Sequence, residues 1–84
     1  MRVRVELTYD MAKAAGVDCF AVEDVRTVAD LVEEAGRRIG PAFAEQARFA
    51  AVAVNGVLVN YRCGFGTRLT DGDVVSFVKA AAGG

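Results

Sequence analysis

Few residues of this chain have chemistry to offer. It holds no histidine, two cysteines, and eleven acidic groups against ten basic ones. Lack of histidine removes the commonest general base and the commonest transition-metal ligand. Cys63 lies in "RCGFG" with only Arg62 beside it to favour a thiolate. Cys19 lies in a strand-like run, where it reads as a small apolar side chain. "CGFG" lacks the spacing of a dinucleotide or P-loop cradle, and no helix follows it. Asp71 and Asp73 flank Gly72 without the further oxygen ligands of a calcium loop, so they read as turn residues. No catalytic set and no metal site is expected.

What remains is the carboxylate at the end of "KAAAGG". Gly83 and Gly84 carry no side chains, and Ala82 keeps the approach slim. Such a segment threads a narrow channel and delivers the Gly84 carboxylate to a buried nucleotide. The competing reading of the same five residues is a frayed end.

An end of this kind needs a rigid base, and the rest of the sequence describes one. "RVRVELTY" alternates, with Val3, Val5 and Leu7 on one side, and predicts a half-buried strand. Residues 10–17 read as a loop with a helical turn released at Gly16. "VDCFAVED" predicts a second strand, antiparallel to the first, with Phe20 and Val22 inward. Val28, Leu31, Val32, Ala35 and Ile39 form one apolar stripe, so "TVADLVEEAGRRIG" predicts a helix. Thr27 and Asp30 resemble a capping box, and Gly40-Pro41 should stop the helix. "AFAEQARF" holds a further helical turn. Asn55-Gly56 splits two strand-like runs as a hairpin turn. Asp71-Gly72 turns into a last strand, "VVSFVK". The order β-β-α-β-β-β implies a mixed sheet of about five strands with one main helix across one face. First and last strands then lie side by side, as in a β-grasp. Residues 1–79 form that domain, and residues 80–84 a tail.

Composition narrows the partners. Of the 84 residues, 54% are hydrophobic, and the net charge is −1. That balance predicts one folded domain and gives no basic surface for nucleic acid. No apolar run reaches the roughly 18–20 residues of a membrane span. The absence of a leader-like start, with two widely spaced cysteines, predicts a cytoplasmic protein with reduced thiols.

Val54-Asn55-Gly56, then Leu69, Asp71-Gly72-Asp73, Val75 and Phe77, then Gly83-Gly84, resemble the signature of the sulfur-carrier family. That family is typified by the small subunit of molybdopterin synthase (MoaD) and the thiamine-pathway carrier ThiS. The resemblance covers essentially the whole chain and lies closer to MoaD, although "KAAA" replaces the prolines that often precede the final glycines. It implies a ubiquitin-like α+β β-grasp fold and a non-catalytic carrier. An adenylating (MoeB/ThiF-like) enzyme would use ATP to activate Gly84, and persulfide sulfur would then give a thiocarboxylate. The carrier itself would bind no cofactor. The sulfur would pass to a MoaE-like large subunit for molybdopterin, or to a thiamine, cysteine, tungsten-cofactor or natural-product acceptor. A ubiquitin-like modifier conjugated through Gly84, and a plain interaction module, are the rival readings. Partner docking is expected on the uncovered sheet face and last strand, through Phe77 and Phe65. Core packing is the alternative for Phe77.

Overall fold

The alternation of "RVRVE" becomes strand β1 (Arg2–Glu6), with Val3 and Val5 fully buried and the charged residues between them exposed. In this computed structural model, which describes residues 1–47 and 49–79, β1 is followed by α1 (Tyr9–Ala15), β2 (Cys19–Glu23), α2 (Val28–Ile39), α3 (Pro41–Ala47), β3 (Ala50–Val54), β4 (Val57–Leu58) and β5 (Val74–Lys79). Single turns of 3-10 helix cover Val59–Tyr61 and Gly64–Gly66.

The five strands form one mixed sheet in the order β2-β1-β5-β3-β4. β5 is the middle strand. It runs parallel to β1, with Val5 beside Val75, and antiparallel to β3, with Val52 beside Phe77. This is the ubiquitin-like β-grasp, and the first and last strands lie together as expected. The parallel pairing requires a crossover, and the helices between β2 and β3 supply it.

The apolar stripe of α2 buries Val28, Leu31 and Ala35 against the sheet. Its start is fixed by a full capping box. The Asp30 amide donates to Thr27 Oγ1 at 3.2 Å, and the Thr27 amide donates to Asp30 Oδ2 at 3.3 Å. A shorter Asp therefore serves where Glu or Gln is usual.

Two elements exceed the expectation of one main helix. Residues 9–15 form a regular helix, because Thr8 Oγ1 accepts from the Met11 amide at 3.1 Å and Gly16 closes the end at φ 80. Gly40 does stop α2, and the further helical turn expected in "AFAEQARF" is a seven-residue helix that starts at Pro41, consistent with proline's fitness for a first helical turn. Met11 and Phe43 then join the core from α1 and α3. Two short helices thus add to the main one, α2.

Candidate functional site

The backbone that carries the tail is β5, and both of its ends are held by side chains or neighbours. At its start, the two turns "VNG" and "DGD" form one hydrogen-bonded unit. Asn55 adopts a left-handed conformation (φ 51), and Gly56 follows at φ 84. From there the Asn55 side chain donates to Asp73 Oδ1 at 2.9 Å and accepts from the Val74 amide at 2.9 Å. Its backbone amide also donates to the Val74 carbonyl at 2.8 Å. Asp71 Oδ1 accepts from the Arg2 amide at 2.7 Å, and the Gly72 amide donates to the Arg2 carbonyl at 2.9 Å. The Asp-Gly-Asp turn thus fixes β1 and β3 against β5 in register.

Desolvation pushes the Asp73 carboxyl pKa up, but hydrogen bonds outweigh it. They come from the Thr70 amide, the Asn55 side chain and the Thr70 hydroxyl, with Arg62 adding a favourable charge, so the carboxyl lies below its ordinary value. These carboxylates are spent on turns, as the sequence suggests. No cluster of three metal-ligating side chains occurs among the described residues.

The opposite end of β5 lies about 17 Å away, five steps of about 3.3 Å along a strand. Here β5 ends at Lys79. Parallel β1 finishes and antiparallel β3 begins at this same end, so Tyr9 and Phe49 are brought beside it. Both are exposed, at 77% and 76%. Two hollows meet here and share Thr8, Asp10 and Lys79. The larger, about 530 Å³, is also lined by Met11, Gln46 and Phe49. The smaller includes Tyr9 and Val78. The chain's two lysines, Lys13 and Lys79, both border the larger one.

The outer sheet face divides in two. On β1 and β2 it is polar: Arg4 pairs with Glu6 at 3.5 Å, and Ser76 Oγ donates to Glu6 Oε1 at 3.1 Å. On β3 and the end of β5 it is small and apolar, with Ala51 beside Val78. Val78 is exposed there.

The expected site residues Ala82, Gly83 and Gly84 lie outside the described residues. Phe77 is corrected. It is 2% exposed and meets Phe43 edge to face, with ring centroids 5.4 Å apart and planes at 81°. The register puts Phe77 on the same face as Val75 and Val52, so it belongs to the core and offers no docking surface. Phe65 is exposed at 46%, but it lies in the Gly64–Gly66 turn, not on the sheet. That loop is tied to the start of α2, where the Val28 amide donates to the Thr67 carbonyl at 3.1 Å. Phe65 therefore belongs to the end of the molecule away from Lys79. Cys19, expected as a small apolar side chain of the strand, is exposed on the outer face, where Arg4 Nη2 donates to its Sγ at 3.5 Å. Both cysteines are free thiols.

Sequence reading missed Tyr9 and Phe49. Tyr9 looked like the end of a strand, and Phe49 sat in an undiagnostic run. The available signal was topological. An aromatic just after the first strand and another just before the third must both flank the end of a last strand lying between them.

A ubiquitin-like β-grasp whose middle strand leads directly into the C-terminal residues defines the class of ubiquitin-like sulfur carriers and modifiers. The chain belongs to the ThiS family, whose model matches residues 11–84. No curated protein matches it at a significant level. Solved structures do. SAMP1 from Haloferax volcanii has 20% identity over 100% of both chains, with a TM-score of 0.82. A chain assigned as molybdopterin converting factor, subunit 1, from Pyrococcus furiosus has 27% identity over 96% of this chain and 99% of that one, with a TM-score of 0.74. A chain of the BexX/CysO complex from Amycolatopsis orientalis has 25% identity over 98% of this chain and 99% of that one, with a TM-score of 0.76. At 20% identity the first of these speaks for the fold alone.

Proposed function

We propose that this chain carries sulfur on its Gly84 carboxylate, for molybdopterin formation. The observation that supports this most is continuity. The family match runs through Gly84, and the strand that leads there is the central one, braced by β1 and β3. A tail on such a base starts from a fixed point, Lys79.

The chemistry follows from the carboxylate, a poor electrophile. Its oxygen attacks the α-phosphorus of ATP in a MoeB/ThiF-like adenylating enzyme, and pyrophosphate leaves. The resulting acyl-adenylate carries AMP as a good leaving group. Persulfide sulfur attacks the acyl carbon and AMP departs, leaving an acyl disulfide; a thiol of the donor system then attacks the donor's sulfur, so that the S–S bond breaks, the thiocarboxylate leaves and the two thiols end as a disulfide. A MoaE-like acceptor then takes the sulfur. The carrier supplies the end of the chain and a docking rim, and catalyses no step.

That rim differs from the one expected on Phe77 and Phe65. Tyr9, Phe49 and Val78 surround the exit at Lys79, and exposed aromatic groups beside a reactive terminus suit a partner that must engulf it. The likeness to a chain of the BexX/CysO complex fits a protein that works with a partner.

Deleting Gly84 tests the reading. The variant should melt like the parent yet accept no sulfur from the cognate adenylating enzyme. Equal sulfur loading of the deletion variant would refute it. If Gly84 instead appears in isopeptide-linked conjugates and never as thiocarboxylate, the chain is a modifier.

A further inference from the structure

The outer edge of the sheet on the β2 side carries a device that the carrier role does not require. β2 is an edge strand, paired only with β1. The Leu7 amide donates to the Asp18 carbonyl at 3.1 Å, and the Asp24 amide donates to the Met1 carbonyl at 3.2 Å. Backbone groups of residues 18, 20, 22 and 24 therefore face β1. By alternation those of Cys19, Ala21 and Glu23 face outward. An edge of this kind is a template for another strand. Natural edges are usually guarded by lysine, proline or a bulge. "CFAVE" has none of them within the strand.

The guard comes from α2. Arg38 Nη1 donates to the Ala21 carbonyl at 2.8 Å. Ala21 is the midpoint of β2, and its carbonyl is one of the outward ones. Arg38 is itself held, because its Nε lies 3.5 Å from Glu34 Oε2. Glu34 also pairs with Arg37 at 2.9 Å. The guanidinium thus occupies the central acceptor of the open edge and places a charge across it.

The sequence of the strand says what it would otherwise admit. An antiparallel pairing of two copies of β2 about Ala21 sets Ala21 opposite Ala21, Cys19 opposite Glu23, and Phe20 opposite Val22. Within Cys19–Glu23 no like charges face each other, and each Phe20 meets a β-branched apolar neighbour on the inner face; Asp18 falls opposite Asp24 only beyond the strand ends, where Asp24 leaves the extended conformation at φ 60. Outward groups of three residues per strand satisfy one another.

We propose that β2 is a self-complementary edge, and that Arg38, steered by Glu34, keeps a second copy of this chain from pairing there. The inference is independent of sulfur chemistry.

Sedimentation of the full chain over a range of concentrations tests it. Wild type should remain monomeric. Arg38→Ala, its fold checked by circular dichroism, should self-associate at least about tenfold more tightly. Adding Ala21→Pro to that variant removes an outward donor without touching the β1 ladder, and should restore the monomer. An Arg38→Ala chain that is folded and as monomeric as wild type would overturn the proposal. So would a dimer that survives Ala21→Pro, since its contact would lie elsewhere.

Discussion

The Asn55 side chain joins the β3–β4 turn to Asp73, donating at 2.9 Å from Nδ2 while its Oδ1 accepts from the neighbouring Val74 amide. Two short motifs, eighteen residues apart, are therefore one clamp at the start of the strand that carries the tail. The clamp lies a strand's length from Lys79, and its bonds hold β5 in register. Asn55→Gly keeps the left-handed backbone but removes the side-chain bonds. It should destabilise the chain by about 1–2 kcal/mol, one to two net hydrogen bonds, as read by chemical denaturation. Sulfur loading below the melting transition should be unchanged.

Asp73 gives this clamp a pH signature. Its carboxyl pKa is lowered from the ordinary 3.8. A group depressed on folding contributes stability that is present above the unfolded pKa and lost as pH falls through the folded one. Wild type should lose that contribution on acidification from about pH 4 downward. Asp73→Asn should be less stable at neutral pH and show a flatter acid limb in melting temperature against pH. Equal acid slopes for the two proteins would show that the clamp is not the titrating element.

Phe77 separates the core from the exposed rim at Lys79. Phe77→Ala removes a buried ring and its edge-to-face partner, and should cost about 3–5 kcal/mol. Phe49→Ala and Tyr9→Ala trim exposed rings and should stay within about 0.5 kcal/mol of wild type. Under the carrier reading those two raise the KM for the chain as a substrate of the adenylating enzyme. Unchanged kinetics in the double variant would remove the rim from the docking surface.

Much of this architecture is legible in the sequence where a local rule decides. The period of two in β1, the stripe of α2, Thr27 with Asp30, and Asn55-Gly56 each act within a few residues, and each forms as read. The side of the sheet that Phe77 takes depends on its register with Val52 on β3, a long-range pairing that no local pattern in "VVSFVK" fixes. Likewise, residues 10–17 read as a loop with a single helical turn until the Thr8 cap and Met11, buried against the core, are seen together. The candidate site divides the same way. Ala82, Gly83 and Gly84 are read from residue type alone, since they lie outside the described residues. Tyr9 and Phe49 become neighbours of the exit only through the order of strands.

Gly84 is the proposed site of sulfur transfer. Intact-mass measurement after incubation with the cognate adenylating enzyme, ATP and a persulfide donor addresses it directly. Replacing one carboxylate oxygen by sulfur adds about 16 Da, and fragmentation should place the gain on Gly84. An unchanged mass, with an enzyme shown to be active on another carrier, would contradict the claim.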